Sequence, residues 1–132
     1  MRVWFLPDGS GVDVSGGTTE LVVMARALVA GKGCVETTAS AEASFGGTEL
    51  ASVEVVSTNG PGALIRVDME HRVLFIEGDR LGLTALADEV RSIAEMNDGG
   101  HQHIEYFPGH YYLAAGSVPM VVTSPQGGMP SR

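Results

Sequence analysis

The sequence is short of positive charge and of cysteine. Eight Lys and Arg residues stand against sixteen Asp and Glu residues, which gives a formal net charge of −8. Such a chain repels a phosphate backbone, so we expect no nucleic-acid partner. A single cysteine, Cys34, excludes an intramolecular disulfide and fits a reducing compartment, and we expect it to be a buried structural thiol. The excess of acid favours a basic protein partner, or it serves solubility alone.

Long hydrophobic runs are also missing. The apolar run Val3–Leu6 near the N-terminus is too short for a signal peptide. The longest helical apolar stretch, Leu21–Ala30, carries Arg26 and falls well short of the ~20 residues that a membrane span needs. We therefore expect a cytoplasmic protein without membrane partners.

Hydrophobic periodicity predicts a single α+β domain. Helices are expected at Glu20–Ala30 and Asp79–Met96, the second with an apolar stripe of Leu83, Leu86, Val90 and Ile93. Breakers rich in Gly, Pro and Asn separate the predicted strands Val3–Leu6, Val12–Val14, Cys34–Thr38, Leu50–Ser57, Leu64–Met69, Val73–Glu77, the strand beginning at His101, and Met120–Thr123. The predicted architecture is a two-layer sandwich, a mostly antiparallel sheet with both helices packed on one face. It spans residues 1–124, followed by a flexible tail at 125–132.

The chain also repeats a pattern internally. Val14, Gly16, Leu21 and Leu28 correspond in type to Ile76, Gly78, Leu83 and Val90 at a constant offset, and Val35-Glu36 corresponds to Ile104-Glu105. The pattern predicts that a strand–helix–strand unit occurs twice. Two unrelated units with the same apolar periodicity would give a similar match.

The segment that follows the second helix carries the densest chemistry. In an extended strand, His101, His103 and Glu105 share one face, and Ile104 and Tyr106 share the other. This polar face is read either as a partner-binding surface or as a metal site. Two imidazoles and a carboxylate could hold a divalent transition metal such as zinc, with His110 as a further ligand. However, the segment carries no HExxH motif and no paired cysteines.

A second polar strand face accompanies it. Arg66, Asp68 and Glu70 alternate with apolar residues, and we expect them to join the histidines on one exposed, acidic sheet face. Such a face would bind a basic protein with fast, salt-sensitive association. Half of the eight aromatic residues lie at Tyr106, Phe107, Tyr111 and Tyr112, where they either close the core or form an interface.

The C-terminal half resembles a known family. The run Ile76-Glu77-Gly78-Asp79-Arg80-Leu81-Gly82-Leu83-Thr84-Ala85-Leu86-Ala87, then His101-Gln102-His103-Ile104-Glu105-Tyr106-Phe107, and then Leu113 and Ser117–Val122, is similar to small bacterial immunity proteins of polymorphic toxin systems. The resemblance implies an α+β protein that binds and neutralises a toxin and has no catalytic activity or cofactor of its own.

Three functions therefore stand as hypotheses. The first is a non-catalytic immunity-like protein that binds a basic toxin domain through His101, His103, Glu105, Arg66, Asp68 and Glu70. The second is a metal-binding module or metal-dependent enzyme that uses His101, His103 and Glu105. The third is a homodimer whose seam is the apolar helix at residues 20–30, since a helix apolar nearly all round is usually buried on more than one side.

Overall fold

A computed structural model describes residues 1–6, 11–37, 47–95 and 100–123. The tail predicted at residues 125–132 lies outside this part of the chain. The end of the second predicted helix at Met96 also lies outside it.

Two helices form at the predicted places. Helix α1 spans Thr18–Ala30 and ends at Gly31, whose left-handed φ of 78° is a conformation that glycine adopts without strain. Helix α2 spans Arg80–Ala94, and the carboxylate of Asp79 caps it by accepting a hydrogen bond of 2.8 Å from the Gly82 amide. The two helices pack against each other, and α2 also contacts strands of both sheets.

Nine strands form in the described part of the chain: β1 Arg2–Leu6, β2 Gly11–Ser15, β3 Lys32–Glu36, β4 Thr48–Glu49, β5 Ser52–Ser57, β6 Ala63–Asp68, β7 Val73–Gly78, β8 His101–Ile104 and β9 Met120–Thr123. They divide between two mixed sheets. Sheet I has the order β4-β1-β2-β9-β8, and sheet II has the order β3-β5-β7-β6. The α+β class with mostly antiparallel pairing is confirmed, but the strands form two sheets where the sequence pattern suggested one. Periodicity reports which face of a strand is buried and carries no information about which strand lies beside it.

The two sheets have the same pairing pattern. In sheet I, the hairpin β1-β2 pairs through β2 in parallel with β9, which pairs antiparallel with β8. In sheet II, the hairpin β6-β7 pairs through β7 in parallel with β5, which pairs antiparallel with β3. Each helix therefore leaves the hairpin of one sheet and leads into the outer strand of the other sheet. The predicted units, β2-α1-β3 and β7-α2-β8, are arranged alike, and Val35 and Ile104 occupy equivalent positions opposite Val53 and Met120.

In each sheet, a connecting segment lies against the outer strand of the hairpin. The segment between β3 and β5 adds β4 to the outer side of β1, and Leu50 donates a backbone hydrogen bond to Val3. The segment between β8 and β9 lies along the outer side of β6, where Ala63 donates to the carbonyl of Tyr112 and Ala114 donates to that of Ala63. The segment between β8 and β9, which carries Tyr111 and Tyr112, is therefore fixed against β6.

The core lies between the inner faces of the sheets and the helices. The stripe predicted for the second helix is confirmed, since Leu83, Leu86, Val90 and Ile93 are all buried. Burial of this apolar set is the main stabilising term of the fold. The prediction of a buried Cys34 is wrong: the thiol is exposed, because β3 is the outermost strand of sheet II and Cys34 lies on the face opposite Val35.

Candidate partner-binding surfaces

Strand β8 presents its two imidazoles to solvent, as the alternation predicts. His101 and His103 are exposed and Ile104 is buried in the core. The two rings lie edge to face with their centroids 5.0 Å apart. Glu105 follows the end of the strand and is also exposed. The outer face of sheet I around β8 therefore carries two imidazoles that a partner can reach.

A half-buried carboxylate, Asp13 on β2, shares this face. The register places Val121 between Asp13 and His103, and Thr123 between Ser15 and His101. Burial raises the pKa of Asp13 above its ordinary value, and the Thr123 hydroxyl, which donates to Asp13 at 3.4 Å, and the charge of His101 oppose the shift. Sequence reasoning missed Asp13, because a pairing of β2 with β9 cannot be read from either strand alone.

The other predicted partner-binding residues lie on sheet II and at its β6-β7 turn. Arg66 forms an ion pair of 2.9 Å with Glu77 and lies 4.3 Å from the centroid of the Phe75 ring. The His71 ring nitrogen lies 2.9 Å from the Asp68 carboxylate, and this hydrogen bond lowers the pKa of Asp68. Glu70 is exposed in the turn that follows. The structure thus places Arg66, Asp68 and Glu70 on a different sheet from the histidines, and their role in partner binding stays a prediction.

The metal hypothesis gains no geometric support. Within residues 1–6, 11–37, 47–95 and 100–123, no group of three or more His, Cys, Asp or Glu side chains is placed to hold a metal ion. The ring of His110 lies among Phe107, Tyr111 and Tyr112. Its Nδ1 atom accepts hydrogen bonds from the amides of Tyr112 and Leu113 at 3.2 and 3.1 Å, so this nitrogen is committed to the backbone. The proposed ligand role of His101, His103, Glu105 and His110 stays untested.

The aromatic segment divides between core and surface. Tyr112 is buried and Tyr106 is half-buried, but Phe107 and Tyr111 are 57% and 73% exposed. A turn closed by the His110 amide, which donates to the Phe107 carbonyl, presents the two exposed rings. The core interpretation thus applies to Tyr112 and in part to Tyr106, and the interface interpretation of Phe107 and Tyr111 stays a prediction.

An open groove of about 810 Å³ lies between the outer side of α2 and the Tyr111 ring. We call it the α2–Tyr111 groove; it is lined by Arg80, Leu81, Ala85, Asp88, Glu89 and Tyr111, with the smaller Thr84 and Ser92. Leu81 is 69% exposed although it belongs to an amphipathic helix. The sequence held a signal for it, because Leu81 precedes Leu83 by two residues and so lies about 200° away from it around the helix. A leucine on the side of the helix opposite the buried stripe is a sequence signal for a binding surface.

Comparison with known proteins gives a family match for the C-terminal part of the chain. No curated protein and no solved structure matches the chain. In the described residues, no helix has the length and apolar character to cross a membrane. The family model of Immunity protein 32 matches residues 73–125, a segment that runs from β7 through α2, β8 and the aromatic loop to β9. Over this segment the chain is similar to Immunity protein 32, and the predicted resemblance of its C-terminal half to bacterial immunity proteins is confirmed.

Proposed function

We propose that this protein neutralises a toxin protein by binding it directly, without chemistry of its own. The observation that carries the proposal is the match of residues 73–125 to Immunity protein 32, since an immunity protein implies a toxin partner. The matched segment contains β8 and α2, and both present exposed side chains to a partner. A binding protein needs only such a preformed surface, and strand β8 and helix α2 supply candidates for one.

We further propose that the His-bearing outer face of sheet I takes part in recognition of a basic toxin domain. Two features support it: His101 and His103 are exposed on a short strand at the edge of the described sheet, and the chain has a net charge of −8. An acidic protein attracts a basic partner over distances of about a Debye length, which is ~8 Å at physiological ionic strength. Such attraction accelerates association, and the imidazoles add hydrogen bonds at the contact itself.

The test expresses the product of the gene beside this chain's own in a sensitive host, and the proposal expects that product to be a toxin-domain protein that arrests growth. Co-expression of this chain should restore growth, and the purified proteins should form a complex. A paired variant, His101→Ala with His103→Ala, should weaken the complex, whereas His71→Ala, in the turn between β6 and β7, is the matched control for loss of an exposed histidine. The proposed function would be refuted if the wild-type chain left the growth arrest unchanged and formed no complex with the toxin.

A further inference from the structure

One cluster of exposed apolar side chains lies beside helix α2. Among the described residues, the three most exposed large apolar side chains are Tyr111, Leu81 and Phe107. Leu81 and Tyr111 line opposite sides of the α2–Tyr111 groove, and Phe107 joins them through His110, whose ring centroid lies 4.6 Å from that of Phe107 and 5.8 Å from that of Tyr111. Exposed apolar side chains that lie together on a protein surface are typical of a contact site for another molecule. All three belong to the segment that matches Immunity protein 32.

The groove is held in shape before any partner arrives. Tyr111 lies edge to face against the buried Tyr112, with ring centroids 4.9 Å apart. The backbone that follows Tyr111 is tied to β6, because Ala63 donates to Tyr112 at 2.7 Å and Val118 donates to Ile65 at 2.8 Å. The opposite wall is helix α2, whose first turn is capped by Asp79. An aromatic anchor on a rigid frame loses little conformational entropy on binding, which is the usual setting of an interface hot spot.

The charges around the groove define the chemistry of its occupant. Asp88 and Glu89 carry negative charge at one end and Arg80 carries positive charge at the other. Thr84 and Ala85 lie between them along the helix and Ser92 lies about one turn beyond Asp88 and Glu89, and these small side chains leave room for a larger side chain from outside. An apolar side chain flanked by Lys or Arg therefore matches both the apolar walls and the acidic end.

We infer that the α2–Tyr111 groove receives a segment of the toxin that presents an aliphatic or aromatic side chain beside basic residues. This inference rests on the proposed function and names the surface that supplies its apolar anchor. The imidazoles of β8 then contribute polar contacts, and Leu81 and Tyr111 contribute the burial that determines how slowly the complex dissociates.

The experiment measures binding of the full-length chain to the same toxin-domain protein by calorimetric titration. Leu81→Glu and Tyr111→Ala should each weaken binding at least about tenfold. Val23→Glu is the matched control, because Val23 is an exposed apolar residue on the other helix, and it should change binding less than about twofold. Circular dichroism of each variant establishes that the chain remains folded. Double charge reversal, Asp88→Lys with Glu89→Lys, should weaken binding further and flatten its dependence on salt.

The outcomes separate this inference from the proposed function. If wild-type chain binds and protects, and the Leu81 and Tyr111 variants bind as tightly as wild type, the groove assignment is wrong and the proposed function stands. If these variants fail but charge reversal has no effect, the basic character of the occupant is wrong. If wild-type chain neither binds nor protects, the proposed function fails and the groove assignment fails with it.

Discussion

At the scale of the residue, the partly buried carboxylate of Asp13 on the outer face of sheet I lowers the stability of the fold. Its carboxylate is partly removed from water, and burial raises its pKa because the charged form loses hydration. The Thr123 hydroxyl and the charge of His101 compensate only in part. Ionised Asp13 therefore lowers the stability of the fold on the face that carries His101 and His103.

Asp13→Asn should raise stability at neutral pH. A folded-state pKa above the unfolded value means that ionised Asp13 destabilises the fold, fully at pH values above the folded pKa. The variant should therefore melt at a higher temperature than wild type at pH 7, and the difference should vanish as pH falls below about 3.8, the unfolded value. Thermal melts of both proteins between pH 3 and pH 8 measure this, with Ser15→Ala on the same face as control. A variant that melts lower than wild type at pH 7 would show that the Thr123 hydrogen bond outweighs the burial.

At the scale of the element, helix α2 has two faces with different tasks. Leu86 is fully buried against the core, and Leu81 faces outward into the groove. The predicted stripe described only the buried face, because burial follows from periodicity whereas an exposed leucine departs from it. The same helix thus stabilises the fold with one face and offers a contact surface with the other.

Leu86→Ala should lower the free energy of unfolding by about 2–5 kcal/mol, since it leaves a cavity in the core. Leu81→Ala should change the same quantity by less than about 0.5 kcal/mol, because an exposed side chain loses little on truncation. Urea denaturation measures both. Equal losses from the two substitutions would contradict the division of α2 into a core face and a contact face.

The first turn of α2 depends on close backbone contact. A methyl group at Gly82 would lie 2.5 Å from the Ala63 nitrogen and 2.6 Å from the Gly62 carbonyl carbon. Alanine has the better helix propensity by about 1 kcal/mol, but a clash with backbone cannot be relieved by rotating a side chain. Gly82→Ala should therefore destabilise the protein by about 1–3 kcal/mol in urea denaturation, with Ser92→Ala as control on the same helix. A stabilised Gly82 variant would show that the helix can move away from β6.

At the scale of the whole molecule, each helix connects a strand of one sheet to a strand of the other. Helix α1 joins β2 of sheet I to β3 of sheet II, and α2 joins β7 of sheet II to β8 of sheet I. Neither half of the chain contains a complete sheet, so the surfaces on β8 and α2 depend on both halves. This explains why a match confined to residues 73–125 covers the candidate surfaces but not all the strands that support them.

The helices and strands could be predicted from the sequence, but the way in which they pair and pack could not. The helices, the alternation around His103 and the repeat at Val14 and Ile76 all follow from periodicity, a local property. The separation of Arg66 from His101 depends on strand pairing between distant segments, which periodicity does not encode. For the same reason, two neighbours could be identified only from the structure. Asp13 lies near His101, and Tyr111 lines the groove together with Leu81.

The most direct test of the account is a titration of the toxic activity of the adjacent gene's product with purified chain. The account predicts that inhibition rises linearly with added chain and is complete near a 1:1 molar ratio, because a binding protein acts once per toxin. It also predicts that Leu81→Glu shifts the inhibition curve to higher concentrations. Complete inactivation at a small fraction of one equivalent would reveal catalysis, and no inactivation at a large excess would exclude immunity; either result would contradict the account.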